Sequence, residues 1–275
     1  MINIAHLSDI HITKGNLLHN VINTTAIFET LMNELSLAER EIDLLVISGD
    51  LADSGSLISY EILGEILDRS KKHFGCEVML VPGNHDAREP FRRQFFAGNK
   101  TTFPTGRLDY AIRVKNWQFI GLDTLDEGHD YGNLLPTQID WLQERLADES
   151  CLGSILVMHH PPVDSPTDGM SKIGLQDKDR FRDLLIGSNV KLILAGHYHH
   201  FLCADFPPAK VLVASATAYQ IDPLSAPGKL RGYQGSAFNL IKVSDDADFF
   251  VTQVHRSHPD SPPVLNSTLE KLGIY

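Results

Sequence analysis

The stretch LLVISGD, residues 44–50, is a short apolar run that ends at a glycine and a carboxylate. Its length and its β-branched residues predict a buried strand, because a buried helix needs a longer run. Segments of the same form recur along the chain, and amphipathic stretches with helical spacing separate the early ones. Strands and helices that alternate in this way predict a layered α/β fold.

The predicted elements form an early part and a late part that differ in character. In the early part we predict buried strands at residues 2–7, 44–47, 77–81, 119–122, 155–158 and 191–194. We predict helices between them at residues 24–40, 58–73, 88–96, 136–147 and 178–186. In the late part we predict strands without intervening helices at residues 211–214, 237–243 and 249–255, the last two joined by a turn at 245–248.

These late strands must extend or face the sheet that the early strands build. We therefore expect an α/β fold with a two-sheet β-sandwich flanked by helices. We expect one domain over residues 1–275, in which residues from about 202 onward complete the second sheet. The tail after His258 is rich in proline and is expected to be loop leading to a short terminal segment.

Composition limits the possible partners and the location. The 275 residues carry a formal charge of −11, which does not attract a nucleic-acid backbone, so we expect no nucleic-acid polymer as a partner. The apolar runs are too short to span a bilayer, and we expect neither a membrane segment nor a signal peptide. The three cysteines show no paired spacing, which favours a reducing, cytoplasmic location.

Metal-binding residue types follow most of the predicted buried strands, at the point where each strand ends. They are Asp9, His11, Asp50, Asn84, His159, His197 and His199. Strands that run in the same direction place their carboxyl ends along one sheet edge, where open α/β sheets bind ligands. Asp9 and His11 are two residues apart, as are His197 and His199, and in extended backbone such pairs point to the same side.

This set of side chains favours a dinuclear metal site. Imidazoles, carboxylates and one carboxamide suit Fe, Mn, Zn or Co better than Ca or Mg. The set is too large for one ion, and a carboxylate at a central strand end is the natural bridge between two ions roughly 3.5–4 Å apart. Two cations would also make the local charge positive, so that an acidic protein can bind an anionic substrate.

Each motif alone has a simpler explanation, since an aspartate or a histidine at a strand end often caps a turn. The prediction therefore depends on the recurrence of these motifs, in order, at successive strand ends. His160 and His200 adjoin candidate ligands and are expected to point elsewhere, as supporting groups. Asp86 is expected to orient a neighbouring residue by hydrogen bonding.

The ordered blocks Asp-x-His, Gly-Asp, Gly-Asn-His-Asp, His-His-Pro-Pro and Gly-His-x-His resemble those of the calcineurin-like metallophosphoesterase superfamily. They run from Asp9 to His199, about three-quarters of the chain. The layout is most similar to bacterial class III cyclic-nucleotide phosphodiesterases and their glycerophosphodiesterase relatives. The resemblance implies a four-layer αββα sandwich.

The resemblance also implies a role for each residue. The first metal would be bound by Asp9, His11, Asp50 and His199. The second metal would be bound by Asp50, Asn84, His159 and His197, with Asp50 bridging. Iron would occupy the first site and manganese, zinc or iron the second. Asn84 and His85 would contact the substrate phosphate, and His85 would stabilise its charge and protonate the leaving oxygen.

The predicted activity is hydrolysis of small phosphodiesters by a metal-activated hydroxide, with 3′,5′-cyclic nucleotides favoured by the resemblance. A glycerophosphodiesterase or a phosphomonoesterase with the same site is the alternative. The acidic composition counts against a nuclease, and the complete ligand set counts against a binding scaffold that has lost its chemistry. We expect a homodimer or higher homo-oligomer, with a substrate-side loop from Tyr219 to Tyr233.

Overall fold

Thirteen strands and five α-helices are defined by the computed structural model, which describes residues 1–38, 40–97, 106–148, 150–167 and 169–256. The strands are β1 (Ile2–Leu7), β2 (Leu44–Ser48), β3 (Glu77–Val81), β4 (Tyr110–Val114), β5 (Trp117–Leu122), β6 (Gly153–Met158), β7 (Val190–Ala195), β8 (Leu202–Phe206), β9 (Ala209–Val213), β10 (Tyr219–Ile221), β11 (Gly232–Gln234), β12 (Ser236–Val243) and β13 (Phe249–Arg256). The helices are α1 (Thr24–Leu37), α2 (Leu57–Phe74), α3 (Arg88–Phe95), α4 (Pro136–Leu146) and α5 (Lys178–Leu185), and a short 3₁₀ helix covers Met170–Lys172.

Most of the strands form two large sheets. Sheet I has the order β13-β12-β1-β2-β3, in which β1, β2 and β3 are parallel and β12 runs antiparallel to β1. Sheet II has the order β4-β5-β6-β7-β9-β8, parallel from β5 to β9 with an antiparallel strand at each edge. From β8 onward the chain contributes strands to both sheets.

The helices cover the outer faces of the sheets, and the inner faces pack against each other. Phe28 of α1 and Leu63 of α2 pack on the outer face of sheet I, and Leu142 of α4 and Phe181 of α5 pack on sheet II. A third apolar cluster, with Ile4 as one member, fills the space between the sheets. The central strands are buried on both faces, which explains their continuous apolar runs. The predicted α/β sandwich flanked by helices is confirmed.

Local signals account for the limits of several helices. The Asn23 side chain accepts a hydrogen bond from the backbone N–H of Ala26 (3.1 Å) at the start of α1. Pro136 begins α4, where its missing N–H costs nothing, and the Gln138 side chain accepts a hydrogen bond from the Leu135 N–H (2.8 Å). Among the described residues, no helix is long and apolar enough to cross a membrane.

The structure corrects three of the sequence predictions. The edge strands β4 and β8 were not predicted, because exposed residues interrupt their apolar pattern. The segment from Tyr219 to Tyr233, predicted as a loop, contains the antiparallel ribbon of β10 and β11. The strands that precede the candidate ligands belong to two sheets, so the prediction that the ligands lie along a single sheet edge is wrong. The tail after His258 lies outside the described residues.

Candidate metal centre

The candidate ligands meet where the carboxyl ends of the two sheets face each other. Sheet I supplies Asp9 and His11 after β1, Asp50 after β2 and Asn84 after β3. Sheet II supplies the histidines after β6 and β7, which are His159, His197 and His199. All of these side chains are buried except that of Asn84, which is partly exposed. The site therefore lies across the seam of the sandwich.

The first group, called cluster one, consists of Asp9, His11, Asp50 and His199. One ligand atom from each residue lies within 4.8 Å of the others. The Nε2 atoms of His11 and His199 are 3.4 Å apart, and His199 Nε2 is 3.3 Å from Asp9 Oδ1. These contacts place two imidazoles and two carboxylates around one point.

The second group, called cluster two, consists of Asn84, His159 and His197. His159 Nε2 lies 3.2 Å from Asn84 Oδ1 and 3.1 Å from His197 Nδ1. Asp50 of cluster one also contacts cluster two, because its Oδ2 is 3.6 Å from His11 Nε2 and 3.4 Å from His159 Nε2. One carboxylate therefore contacts an imidazole of each cluster.

These separations fit bound metal ions. Ligand atoms about 2.1 Å from a shared ion lie about 3.0–3.4 Å from each other, and the separations between the facing imidazole and carboxylate atoms are close to this range. Facing imidazole nitrogens also direct lone pairs at each other, and a cation between them satisfies both. The buried histidine and aspartate cluster is compatible with a dinuclear metal site.

The backbone at the site is left-handed at most of the candidate ligands. Positive φ angles occur at Asp9 (52°), His11 (45°), Asp50 (51°), His197 (72°) and His199 (53°). Residues with a side chain rarely adopt this conformation, and it concentrates at functional sites. The pairs two residues apart are therefore not aligned by extended backbone, and that prediction is wrong. The side chains converge because the chain turns sharply as each strand ends.

Two glycines allow the close approach that the site requires. At Gly49, with φ +100°, a Cβ atom would overlap the imidazole of His159. At Gly196 a Cβ would overlap the side chain of Ser8, next to Asp9. Each position brings a loop of one sheet into contact with the other sheet, so glycine is required by space as well as by conformation.

Backbone carbonyls orient two of the imidazoles. His159 Nδ1 donates to the Ser48 carbonyl (2.8 Å), and His199 Nδ1 donates to the Tyr219 carbonyl (3.1 Å). A proton fixed on Nδ1 leaves the Nε2 lone pair facing the site, as metal ligation requires. The carboxylate of Asp9 accepts hydrogen bonds from the backbone N–H of His197 at 3.1 and 3.0 Å. The ligand orientations are thus set by groups that do not bind metal.

The electrostatics of the site favour ionised carboxylates. Burial alone would raise the pKa of Asp50, but the imidazole of His159 holds this pKa well below the usual range. Burial lowers the pKa of His159, and the Asp50 carboxylate overrides it and raises the pKa to about 9. Burial and the neighbouring His159 lower the pKa of His197 to about 3. Two buried carboxylates that stay ionised beside the neutral imidazole of His197 attract divalent or trivalent cations.

His85 lies at the solvent side of cluster one, with 43% of its side-chain surface exposed. Its Nδ1 donates to the Asp53 carbonyl oxygen (2.8 Å), and its ring centroid is 4.8 Å from that of His11. Burial lowers the pKa of His85, but the carboxylates of Asp50 and Asp53 raise it above the ordinary value. The geometry and the charge suit a protonated imidazole that faces a bound anion.

Asp53 is a site residue that our sequence reasoning missed, and Tyr219 was predicted only as the start of a substrate-side loop. The Asp53 Oδ1 is 3.6 Å from His11 Nδ1, and the Tyr219 ring centroid is 4.5 Å from that of His199. Asp53 follows Asp50 by three residues in the same loop, a spacing that could have marked it. Tyr219 comes from a distant segment, and nothing in the sequence locates it beside His199.

The supporting residues have defined contacts. His160 Nδ1 lies 2.8 Å from the Thr124 hydroxyl, although one of its ring nitrogens lies within 4.8 Å of those of His159 and His197, closer than expected. His200 Nε2 is turned towards Ser165 (3.1 Å).

Asp86 joins the loops after β2 and β3. Its carboxylate accepts hydrogen bonds from the N–H groups of Leu51 (3.1 Å), Ala52 (3.0 Å) and Gly83 (2.8 Å) and from the Tyr60 hydroxyl (2.8 Å). Burial and the nearby Asp50 raise the pKa of Asp86 to about 6, while the N–H donors oppose this shift. Asp86 therefore holds the backbone that carries the candidate ligands Asp50 and Asn84.

Comparisons with known proteins agree with this geometry. The chain is 33% identical over 244 residues to a protein named probable cyclic nucleotide phosphodiesterase of Rhodococcus erythropolis, covering 88% of this chain and 80% of the relative. It is 34% identical over 245 residues to a cAMP/cGMP dual specificity phosphodiesterase of Mycobacterium tuberculosis, covering 88% and 76%. The crystal structure of a dimetal phosphatase from Danio rerio superposes with a TM-score of 0.59 at 13% identity, covering 87% and 95%, which shows a shared fold.

A sequence profile described as calcineurin-like phosphoesterase matches residues 2–201, which include all the candidate ligands. The match extends over most of the chain, and the fold and the buried histidine and aspartate cluster agree with it. Such proteins are metal-dependent phosphoester hydrolases. The chain therefore belongs to the calcineurin-like phosphoesterase family.

Proposed function

We propose that this protein is a dinuclear-metal phosphodiesterase that hydrolyses small phosphodiesters, with 3′,5′-cyclic nucleotides as the favoured substrates. The position of Asp50 is the observation that carries this proposal. Its carboxylate lies 3.6 Å from an imidazole of cluster one and 3.4 Å from an imidazole of cluster two. A carboxylate in this position can bind two ions at once, and two adjacent ions suit phosphoryl transfer.

The proposed ligand sets follow the two clusters. The first ion is bound by the residues of cluster one, which are Asp9, His11, Asp50 and His199. The second ion is bound by the residues of cluster two together with Asp50, which are Asp50, Asn84, His159 and His197. The mixed nitrogen and oxygen ligands favour Fe, Mn, Zn or Co, and we propose iron in the first site.

The chemistry divides between the ions and the protein. Two bound ions supply Lewis-acid activation of water and neutralise the charge of the phosphoryl oxygens. His85 is proposed to contact the phosphate and to donate a proton to the leaving oxygen through Nε2, because its Nδ1 is held by the Asp53 carbonyl. The raised pKa of His85 keeps that proton available near neutral pH.

The preference for cyclic nucleotides is supported by the names of the two relatives at 33% and 34% identity. A glycerophosphodiesterase or a broad-specificity phosphomonoesterase with the same metal centre is the second candidate. The metal ligands alone do not distinguish these substrates, because all of them present a phosphoryl group to the same ions.

A panel of rates on the metal-loaded protein tests the proposal. Cyclic AMP, glycerophosphoethanolamine and a phosphomonoester are compared at equal concentration, with a chelated sample as the control. We expect cyclic AMP to give the highest kcat/KM, by about tenfold or more, which corresponds to about 1.4 kcal/mol in the transition state. A higher rate on the monoester than on either diester would overturn the proposed reaction class.

The proposal includes a cytoplasmic homodimer or higher homo-oligomer. The three cysteines, Cys76, Cys151 and Cys203, are free thiols, which supports a reducing compartment. Size-exclusion chromatography with light scattering measures the number of subunits, and a monomer at micromolar concentration would contradict this part of the proposal.

A further inference from the structure

An aromatic pair borders the solvent side of the metal centre next to cluster one. The ring of Tyr219 has its centroid 4.5 Å from that of His199 and 6.3 Å from that of His11. The ring of His19 meets Tyr219 edge to face, with centroids 5.2 Å apart and an interplanar angle of 80°. Two aromatic side chains that bind no metal in our scheme therefore extend the surface formed by the proposed ligands.

The position of this pair is fixed by the fold. The carbonyl oxygen of Tyr219 accepts a hydrogen bond from His199 Nδ1 at 3.1 Å. Leu18 and Ile22, on either side of His19, form a buried apolar cluster with Ala218, the residue before Tyr219. The loop that carries His19 is thus packed against the start of β10, so the backbone of both residues is held near cluster one.

The exposed groups show where a substrate reaches the metal centre. The imidazoles and carboxylates of cluster one are buried, whereas His85, His19 and part of Tyr219 are accessible. His85 and Tyr219 both pack beside His11, at centroid distances of 4.8 and 6.3 Å. A phosphoryl group that contacts His85 therefore lies close enough for its organic substituent to reach the aromatic pair.

We propose that Tyr219 and His19 form an aromatic subsite that stacks against the base of a nucleoside phosphodiester and so favours nucleotides over glycerol-type diesters. The inference rests on the proposed function and names the substrate class of that same site. Stacking suits a base because every base offers a flat π-surface, whereas a glycerol substituent offers none. Loss of the Tyr219 ring is expected to weaken nucleotide binding about tenfold, and loss of the exposed His19 ring by less.

The test measures binding rather than turnover. Calorimetric titration of the manganese-loaded protein compares adenosine 5′-monophosphate with ribose 5-phosphate, which has the same phosphate and sugar but no base. We expect the wild type to bind the adenosine compound about tenfold more tightly than ribose 5-phosphate. We expect Tyr219→Leu to abolish most of this ratio, Tyr219→Phe to keep it and His19→Ala to lower it about threefold.

Tyr233→Leu is the matched control, because Tyr233 lies on the same ribbon opposite Gln220 and is 54% exposed. We expect this substitution to leave the ratio unchanged. The metal content of each variant is measured in parallel. An unchanged ratio in Tyr219→Leu overturns the subsite. Loss of metal in Tyr219→Leu, with equal weakening of both ligands, shows that the ring only supports His199 and also overturns it. A wild type with the expected ratio but without diester turnover refutes the proposed reaction and leaves the subsite intact.

Discussion

The two sheets contribute different chemistry to the same site. The loops of sheet I carry every carboxylate and the one amide among the proposed ligands, and the loops of sheet II carry only imidazoles. Close contacts join the two sheets: His159 Nε2 is 3.2 Å from Asn84 Oδ1 and 3.4 Å from Asp50 Oδ2, and His199 Nε2 is 3.3 Å from Asp9 Oδ1. Neither sheet alone presents a complete ligand set, so metal binding depends on their alignment.

The two edges are also held together differently. A buried carboxylate, Asp86, accepts hydrogen bonds from the loops of sheet I and from Tyr60 of α2. At the edge of sheet II, the hydroxyl of Tyr198 donates to the neutral carbonyl of Val163 (2.8 Å). Hydrogen bonds to charged groups are stronger than those between neutral groups. The acidic edge is therefore expected to be the more rigid of the two.

The largest expected effect distinguishes a bridging ligand in sheet I from a terminal ligand in sheet II. Asp50→Ala removes the carboxylate that contacts both clusters. We expect it to empty both metal sites and to reduce turnover to background. His159→Ala is the matched variant and should empty only the second site. Metal analysis of the two purified proteins measures this difference, and two ions per chain in Asp50→Ala would refute the bridge.

The next effect separates a catalytic group from a metal ligand at the edge of sheet I. We expect His85→Ala to keep both metals and to lower kcat by about 10²–10⁴, the usual contribution of a general acid. The wild type is expected to lose activity at high pH, where His85 loses its proton above its raised pKa. The pH profile of His85→Ala should lack this basic limb. Metal loss in this variant, or a kcat close to the wild type, would contradict the assignment.

These residues also show how much of the site can be predicted from sequence. Asp50 and His159 were predicted because each lies within two residues of the end of a short apolar strand, which is a local pattern. Tyr219 was predicted only as part of a substrate-side loop, because its place beside His199 depends on the packing of a distant ribbon. The division of the ligands between two sheets was missed for the same reason, since strand order is a property of the whole fold and each apolar run looks alike.

A smaller effect compares how the two edges are held. Tyr60→Phe removes a hydroxyl that donates to the Asp86 carboxylate (2.8 Å) and accepts from the Ala87 N–H (2.9 Å), and Tyr198→Phe removes one that donates to a neutral carbonyl (2.8 Å). We expect Tyr60→Phe to lower the free energy of unfolding by about 1.5–3 kcal/mol and Tyr198→Phe by about 0.5–1.5 kcal/mol. Urea denaturation of the metal-free proteins measures both values. Equal losses would show that the charge of Asp86 does not strengthen the edge of sheet I.

The last contrast concerns His6 of β1, a buried imidazole below the loops of sheet I that is hydrogen-bonded to the Ser48 hydroxyl (2.8 Å). Burial lowers the pKa of His6 to about 3, although the Asp9 carboxylate opposes this. The unfolded chain therefore binds a proton below about pH 6.5 that the native protein does not bind until about pH 3.

The free energy of unfolding is thus unaffected by His6 titration above about pH 6.5. Below that pH it falls by about 1.4 kcal/mol for each pH unit, because only the unfolded chain binds the proton. His6→Gln cannot titrate, so the difference in unfolding free energy between the metal-free wild type and this variant should change by that amount per unit between about pH 6 and pH 4. The difference should be constant above pH 7. A difference that is independent of pH throughout would mean that His6 binds its proton at the same pH in the native and unfolded states, and the contrast between the ionised carboxylates and a neutral imidazole beneath them would fail.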